Sequence, residues 1–425
     1  MVALDKKRVW HPYTAMDRYR EEVDPLVVER SEGAHFWDVD GRRFIDANSS
    51  WWVSTLGHNH PRLVAALKRQ ADVHCHTALA GMTHEGAAEL AESLTAVAPA
   101  GLEHVFYSEN GSTAVEVGLK VALQYWVQSG RPDRNRFVSL EDAFHGETIG
   151  VTGVGGVEVF RRPFAGVVPE HFRIPSPASG EDAAAAALER TLEEHSDRIA
   201  AVVLEPLVQG ASGMRMYGPE FLRTARALCD RHDVFLIADE VFVGYGRTGK
   251  MWACEHAGIA PDILCTAKGF SGGVLPMAAT LMTDRVQSAF LGSDDRAFYY
   301  GHTFCGNPLG CAVAREVLRV FEEDKILEQV QPKAARIAEA FGELAEHPAV
   351  ERTRSLGMIG VLDLRGGDDY LAGGGWKIYA EAQKRGAYLR PMGNCVYVAP
   401  PLIIPDETLD ELLGIVRESL DAATS

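Results

Sequence analysis

The sequence predicts an α/β protein with a mostly parallel sheet lying between helices. Two observations favour this class: short apolar runs alternate with helical stretches through the middle of the chain, and the runs are apolar throughout. Strands buried on both faces have this pattern, whereas a half-exposed strand alternates apolar and polar residues. Such strands belong to sheets that are covered by helices on both sides.

The predicted elements follow one another in the order that this class requires. The predicted strands are 104–107, 136–140, 200–204, 234–238, 263–266 and 278–282. A mostly buried helix is predicted over residues 113–127. A second helix, rich in alanine and glutamate, is predicted over about 183–194. These segments lie in a predicted large domain of residues 56–314.

The two ends of the chain mix hairpin signals with helical stretches. They are predicted to form one smaller α+β domain, residues 1–55 with 315–425. A turn signal, Asp40-Gly41, indicates a hairpin near the start. Helices are predicted over 316–321 and 332–344. The glycine-rich segments 366–369 and 373–375 are predicted to be surface loops.

Composition excludes several kinds of partner. The 425 residues are 46% hydrophobic and carry a net charge of −17, which argues against nucleic acid or an anionic membrane as the main partner. No apolar run approaches the ~20 residues that a bilayer span requires. The first ten residues carry charges where a secretory leader is apolar, and the seven cysteines form no CxxC motif. We therefore expect a reduced, cytoplasmic protein.

No metal site is predicted. The cluster His74-Cys75-His76 and the pair His58 and His60 are the nearest approach to one. Neither has a clear set of further ligands at a characteristic spacing.

Polar residues collect where the predicted strands end. Ligands of open α/β sheets bind beyond the carboxyl ends of the strands. The residues at those positions are Ser108-Glu-Asn-Gly-Ser112, Phe144-His-Gly-Glu147, Glu205, Asp239 and Lys268. Gly111 and Ser112 open a helix, so that its first amides and the Ser112 hydroxyl are suited to a phosphate. Each element alone has an ordinary structural reading, as a helix cap or a surface charge, but their common location favours a site.

Lys268 and Asp239 together indicate pyridoxal phosphate. A lysine of this kind holds the aldehyde as an imine and, once displaced by an incoming amine, shuttles a proton between substrate and cofactor carbons. An aspartate at the end of a neighbouring strand keeps the pyridine nitrogen protonated, which makes the ring an electron sink. Phe144 is predicted to stack on one face of the ring and Val241 to pack on the other.

These residues, in this order, resemble the class III aminotransferases of the fold-type I pyridoxal phosphate enzymes from about Trp10 to Pro401. The resemblance implies a sheet of the seven-stranded type in the large domain. The motifs that carry it are Trp10-His-Pro-Tyr-Thr-Ala-Met16, Ser49-Ser-Trp-Trp52, Gly111-Ser112, Leu123-Gln-Tyr-Trp126, Glu205-Pro-Leu-Val-Gln-Gly210, Gly246-Arg-Thr-Gly249, Ala253-Cys-Glu-His256, Gly301-His-Thr-Phe304 and Leu389-Arg-Pro391.

The resemblance also implies roles. Lys268 and Asp239 would be the catalytic pair, and Glu205 would lie near the ring hydroxyl. The remaining cofactor ligands would be Gly111, Ser112, Phe144, Val241, His302 and Thr303. Arg390 would bind a substrate carboxylate, with Tyr13, Trp51, Trp52, Phe144 and Gly301 around the substrate. Arg247 would pair with a carboxylate or play a structural part.

Within the family, the closer likeness is to the branch that transfers an amino group, typically from S-adenosylmethionine, to the keto acid 8-amino-7-oxononanoate in biotin synthesis. That likeness implies a homodimer in which Thr303 reaches the cofactor of the partner subunit. The usual pattern is broken at Phe144, Glu147, His302 and Met392. These departures cluster where a donor would bind and leave lysine as an alternative donor.

Other functions on the same fold stay open at this stage. One is amino transfer from a different amine, such as a diamine or an ω-amino acid. Another is a role in binding or regulation without turnover. A third is an aminomutase or decarboxylase. The intact pair of Asp239 and Lys268 argues against the role without turnover.

Overall fold

The structure is a computed structural model that describes residues 1–367 and 371–425. Its strands are β1 (Val28–Glu32), β2 (His35–Asp38), β3 (Arg43–Asp46), β4 (Leu102–Ser108), β5 (Arg136–Leu140), β6 (Phe172–Ile174), β7 (Ile199–Leu204), β8 (Val208–Gln209), β9 (Arg215–Met216), β10 (Phe235–Asp239), β11 (Ile263–Thr266), β12 (Ala278–Thr283), β13 (Val350–Leu356), β14 (Ile359–Leu364), β15 (Ala387–Tyr388) and β16 (Cys395–Val398).

The helices lie between and around these strands. They are α1 (Val2–Arg8), α2 (Met16–Glu22), α3 (Ser49–Trp52), α4 (Pro61–Val73), α5 (Glu85–Val97), α6 (Gly111–Gln128), α7 (Ile149–Val154), α8 (Glu158–Arg161), α9 (Glu181–His195), α10 (Pro219–Arg231), α11 (Asp284–Ser288), α12 (Pro308–Glu323), α13 (Ile326–Leu344), α14 (Gly374–Lys384) and α15 (Asp406–Thr424).

The central sheet has seven strands in the order β4-β12-β11-β10-β7-β5-β6. Strand β12 pairs antiparallel with both of its neighbours, while β11, β10, β7, β5 and β6 pair in parallel. Strands β7 and β10 are buried along their whole length, as their uninterrupted apolar sequences require. The predicted α/β class with a mostly parallel sheet between helices is therefore confirmed.

Two smaller sheets are built from the ends of the chain, one from both ends and one from the C-terminal part alone. One has the order β1-β2-β3-β15, with β15 from the C-terminal part pairing in parallel with β3. The other is the antiparallel sheet β13-β14-β16. The predicted hairpin at Asp40-Gly41 connects β2 and β3. The predicted domain limits stay predictions, and a helix, α12, runs through the limit placed between residues 314 and 315.

The strand predictions in the large sheet match within a residue or two. Near the C-terminal end, the predicted helix 332–344 is present but starts earlier, and the loop predicted over 373–375 is wrong in part. Helix α13 begins at Ile326, and Pro332 lies inside it. Buried side chains at Ile326 and Val330 extend its apolar face ahead of the proline, so that tertiary packing outweighs the lost hydrogen bond. Gly374 and Gly375 form the first turn of α14 and not a loop.

The other glycine-rich segment, predicted as a loop over 366–369, lies only partly within the residues that the structure describes. Gly366 and Gly367 adopt positive φ as a turn requires, and Asp368 and Asp369 lie outside the described residues. Within the part of the chain that is described, no helix has the length and apolar character of a membrane span.

Candidate active site

The predicted site residues of the central sheet come together at the carboxyl ends of its strands. Asp239 is the last residue of β10, and Lys268 follows β11 closely. Both line a cavity of about 480 Å³. The predicted residues that line it are Trp52, Gly111, Ser112, Phe144, Glu205, Asp239, Val241 and Lys268.

Lys268 begins a 3-10 turn with a positive φ of 51°, which is rare for a residue that is not glycine. Such strain is found where the surrounding structure holds a side chain in a required place. The ammonium nitrogen lies 5.1 Å from the centre of the Trp52 ring. Burial lowers the pKa of Lys268, and the charges of Asp239 and Glu205 oppose this effect only in part. The amine is thereby brought nearer to the neutral form that a nucleophile needs.

Asp239 is held by a histidine that sequence reasoning did not single out. The Nδ1 atom of His145 lies 2.8 Å from Asp239 Oδ2, and both side chains are buried. Burial lowers the pKa of His145, but the hydrogen bond and charge of Asp239, with the charge of Glu205, raise it overall. The two carboxylates thus favour a proton on His145 against the effect of burial. Asp239 Oδ1 accepts a second hydrogen bond, from the Val241 amide.

Glu205 is a buried carboxyl group fixed by two backbone amides. Its Oε1 accepts from the Phe144 amide and its Oε2 from the Gly210 amide, each at 2.9 Å. Burial raises the pKa of Glu205 to about 7, although the charge of His145 opposes the rise. The group is thus poised to hold or release a proton near neutral pH.

The loop between β4 and α6 is closely packed around two glycines and begins a capped helix. Asn110 caps α6 by accepting from the Thr113 amide at 3.0 Å. Gly111 must be a glycine, because a Cβ there would lie 2.6 Å from Val241 Cγ1. Gly146 is equally constrained, since a Cβ would lie 2.3 Å from the Ser112 hydroxyl. The Ser112 hydroxyl also accepts from the Glu147 amide at 3.0 Å.

Trp51 and Trp52 lie in a left-handed turn. Ser49, Ser50, Trp51 and Trp52 all have positive φ, which costs about 1–2 kcal/mol for each residue that is not glycine. The turn is anchored where it is buried: Ser49 donates to the Ala399 carbonyl at 2.7 Å, and Trp52 Nε1 donates to the Tyr397 hydroxyl at 3.1 Å. It directs the Trp52 ring into the cavity and the Trp51 ring into an adjoining one.

The adjoining cavity has a volume of about 340 Å³ and is mainly apolar. The predicted substrate residues Tyr13, Trp51, Trp52, Phe144 and Arg390 line it, together with Lys268. Phe160, which was not predicted, packs edge-on against both Tyr13 and Phe144. The Tyr13 hydroxyl donates to Glu147 Oε1 at 2.5 Å. The lysine therefore opens onto a space bounded by aromatic rings.

Arg390 is the cation of this second cavity. Its guanidinium lies 5.0 Å from the Trp51 ring centre and 5.8 Å from that of Trp376. Its backbone amide donates to Asn48 Oδ1 at 2.7 Å, which fixes the segment. Across the described ranges no carboxylate forms an ion pair with this guanidinium. The arrangement leaves its fork of donors for an incoming anion.

Arg247 has a structural part. It is buried and donates to the Pro400 carbonyl at 2.7 Å and to the Ser49 hydroxyl at 3.2 Å. Burial lowers its pKa to about 10. It thereby supports the turn that carries the two tryptophans, and its predicted alternative role, in pairing with a carboxylate, has no partner among the described side chains.

Three predicted residues lie away from the cavity. Gly301, His302 and Thr303 are exposed and form part of a loop before α12. Within residues 1–367 and 371–425 the cavity lining includes none of them. His302 contacts Glu109, which does line the cavity, through a 2.6 Å hydrogen bond from Nδ1.

Some contacts in the site could have been predicted from the sequence, and others could not. His145 lies in the segment Phe144-His-Gly-Glu147, which follows a predicted strand. That position could have marked it as a site residue. Tyr397 is separated from Trp52 by 345 residues, and no local pattern predicts that contact.

Comparisons with known proteins agree with this geometry. The family model described as "Aminotransferase class-III" matches residues 17–420. A relative from Geobacter sulfurreducens, named adenosylmethionine-8-amino-7-oxononanoate aminotransferase, is 41% identical over 99% of this chain and 97% of its own length. The crystal structure of the protein of that name from Methanocaldococcus jannaschii is 34% identical, with a TM-score of 0.96 over 100% of this chain and 99% of that one.

A further solved structure shows that the fold is shared with other activities. An amine transaminase from an uncultivated Pseudomonas species, in its pyridoxal phosphate-bound form, is 32% identical with a TM-score of 0.92 and covers 98% of this chain and 99% of its own.

Fold and site thus define a transaminase of the type that uses a lysine and an aspartate at the ends of neighbouring strands. The chain belongs to the class-III aminotransferase family.

Proposed function

We propose that this enzyme transfers an amino group from S-adenosylmethionine to 8-amino-7-oxononanoate, with pyridoxal phosphate as cofactor. The observation that carries the proposal is the position of Lys268, which lines both the cavity that contains Asp239 and the apolar cavity that contains Arg390. The relatives with full-length similarity, named for this reaction, support the choice of substrate.

The residues at the first cavity fit pyridoxal phosphate. Gly111 and Gly146 allow Val241 and Ser112 to pack closely against the backbone at the N-terminus of α6. The first amides of that helix and the Ser112 hydroxyl suit the phosphate. The buried Asp239 suits the ring nitrogen. Phe144 and Val241 supply apolar surface for the ring. When bound, the cofactor supplies an electron sink for the carbon that carries the amino group.

The protein's own groups then hold and move protons. His145 keeps Asp239 oriented through the 2.8 Å hydrogen bond, so that the carboxylate does not have to reorganise during the reaction. Lys268 Nζ, with its lowered pKa, accepts a proton and returns it within the same cavity. The rings of Trp52 and Phe144 form apolar walls of that cavity.

The second cavity fits a long, mostly apolar amino-keto acid. Arg390 would bind the carboxylate in a bidentate fashion, because a guanidinium fork matches that group. The apolar lining of Trp51, Trp52, Phe144 and Phe160 suits a methylene chain between the carboxylate and the reacting carbonyl.

The amino donor is the least constrained part of the proposal. Phe144 offers no hydroxyl to a donor, and Glu147 is engaged by Tyr13. Lysine is therefore the second donor to be tested. The likeness to an amine transaminase favours one further candidate, amino transfer from a simple amine.

We further infer a homodimer and a cytoplasmic location. Thr303 is exposed, and large apolar side chains are exposed near it, Phe304 at 57% and Tyr299 at 80%, which supports a partner surface at this loop. All seven cysteines are free thiols, as expected in a reducing compartment.

The direct test is product formation. The purified enzyme with pyridoxal phosphate, 8-amino-7-oxononanoate and S-adenosylmethionine is expected to form 7,8-diaminononanoate, detected by mass spectrometry. Lys268→Ala is the control and should form none. Product only from lysine would replace the donor, whereas no product with either donor but turnover of simple amines would overturn the proposed acceptor.

A further inference from the structure

A thiol, an imidazole and a carboxylate meet beside the cofactor cavity. Glu109, His302 and Cys305 each offer one ligand atom, and these atoms lie within 4.8 Å of one another. Glu109 precedes α6, while the other two belong to the loop before α12, 193 residues along the chain from Glu109 to His302. Folding therefore gathers a ligand set that has no local sequence signature.

The loop holds two of these groups in a fixed relation. His302 and Cys305 are separated by two residues, and the Cys305 amide donates to the His302 carbonyl at 3.1 Å, closing a tight turn. The His302 amide in turn donates to the Cys305 sulfur at 3.1 Å. The turn thus presents imidazole and sulfur on the same side.

The distances are close to those of a metal centre. Cys305 Sγ lies 3.7 Å from Glu109 Oε1, and His302 Nδ1 lies 2.6 Å from Glu109 Oε2. Ligand atoms around a tetrahedral zinc ion stand about 3.3–3.8 Å apart, given bonds of about 2.0–2.3 Å. The two distances involve different oxygens of Glu109, so the carboxylate and the imidazole have to shift by about 1 Å to place one oxygen, the nitrogen and the sulfur around a common ion.

We propose that Glu109, His302 and Cys305 bind a zinc-class divalent cation, with water in the fourth position. Sulfur and imidazole ligands select such an ion over magnesium or calcium. In the single chain the side chains of His302 and Glu109 are 36% and 20% exposed.

The proposed ion would join two segments that matter to the site. One segment continues from Glu109 into Gly111 and Ser112, and the other carries Thr303. Occupancy would therefore tie the loop before α12 to the anion-binding end of α6. We expect the ion to raise the melting temperature of the holoenzyme.

The probe is Co²⁺, which reports tetrahedral thiolate coordination by intense bands between about 500 and 750 nm, clear of the cofactor's absorption. Purified holoenzyme, kept reduced with a phosphine, is titrated with Co²⁺ and then with Zn²⁺ as competitor. The same titration is made on Cys305→Ser and on His302→Gln. The matched control is Cys75→Ser. Cys75 is an exposed thiol between His74 and His76, and it is not part of the cluster of Glu109, His302 and Cys305.

The expected result is one Co²⁺ per subunit with tetrahedral bands, displaced by Zn²⁺ and unchanged in Cys75→Ser. Mutation of a residue that only hydrogen-bonds to a metal ligand typically weakens metal binding ~10- to 100-fold. Loss of the direct ligand His302 or Cys305 should weaken Co²⁺ binding by at least as much. Cofactor content and circular dichroism check that each variant is folded. No stoichiometric binding, binding that survives both Cys305→Ser and His302→Gln, or binding that Cys75→Ser abolishes would each overturn the proposal.

Discussion

At the scale of single residues, the site depends on charges that are buried and paired. Asp239 and His145 form one such pair, and Glu205 lies close enough to influence both His145 and Lys268. A buried carboxylate is costly unless hydrogen bonds satisfy it, and Asp239 receives two. The lone guanidinium of Arg390 is the opposite case, a charge whose partner would be the substrate.

Removal of the His145 side chain should lower the rate without unfolding the enzyme. His145→Ala deletes a hydrogen bond to a charged group, which is worth about 1.5–3 kcal/mol and corresponds to about a 10- to 100-fold loss in kcat/KM. The pH dependence of the cofactor's visible absorption should shift as well. His145→Asn, whose amide can replace the Nδ1 donor, should recover part of both; equal losses in the two variants would assign His145 a packing role only.

Arg390→Lys should weaken binding of the keto acid more than it lowers kcat. The substitution keeps the charge but removes the bidentate fork, so that KM should rise by about 10-fold or more. Steady-state kinetics with 8-amino-7-oxononanoate measure this directly. A ketone acceptor without a carboxylate is the control, because its KM should hardly change; a parallel rise for both would argue against carboxylate binding at Arg390.

At the scale of elements, the site is assembled by strand ends, one helix start and a strained turn. The β4–α6 loop, the left-handed turn Ser49–Trp52 and the 3-10 turn at Lys268 all depart from regular structure at the edge of a rigid sheet. Buried contacts elsewhere in the fold compensate for this strain.

Gly111→Ala should disrupt the proposed phosphate site at the N-terminus of α6. The new Cβ would lie 2.6 Å from Val241 Cγ1, so that either the loop or Val241 has to move. Pyridoxal phosphate affinity, measured by fluorescence titration, should fall at least ~10-fold, the effect of about 1.4 kcal/mol. Gly414→Ala is the matched control: it lies in the middle of α15 with open space around it, and should gain up to about 1 kcal/mol of stability.

Glu240 should make the stability of the fold depend on pH. Burial raises its pKa to about 7, against hydrogen bonds from Cys254 and the Ala253 amide that lower it. In the unfolded chain this carboxyl group has its ordinary pKa of 4.5. Between pH 4.5 and about pH 7 the folded state therefore binds more protons than the unfolded state. Stability should therefore fall as pH rises from about 4.5 to 7, by as much as ~3 kcal/mol.

Urea unfolding at intervals between pH 5 and 8 measures this slope. Glu240→Gln removes one of two buried carboxyl groups whose pKa is raised to about 7, the other being Glu205, and should make the fall in stability shallower. The exposed Glu339→Gln should leave the slope unchanged. An unaltered slope in Glu240→Gln would contradict the assignment.

At the scale of the whole molecule, local sequence patterns predicted the strands and the residues at their ends. They did not predict contacts between residues that are far apart in the sequence. Apolar runs and strand-end residues were enough to place Asp239 and Lys268 at the same edge of the sheet. The short strand β6 was not predicted, because three residues carry too little pattern. The contact of Trp52 with Tyr397 and the cluster of Glu109 with His302 and Cys305 connect distant segments, and only the folded chain brings them together.

The half-reaction with S-adenosylmethionine tests the central claim most directly. The pyridoxal phosphate form of the enzyme is mixed with S-adenosylmethionine, and separately with lysine, without any keto acid, while the visible absorption band of the lysine-bound cofactor is followed. The band should disappear with S-adenosylmethionine, because the donor leaves its amino group on the cofactor. A band that persists with S-adenosylmethionine but disappears with lysine or a simple amine would contradict the proposed donor.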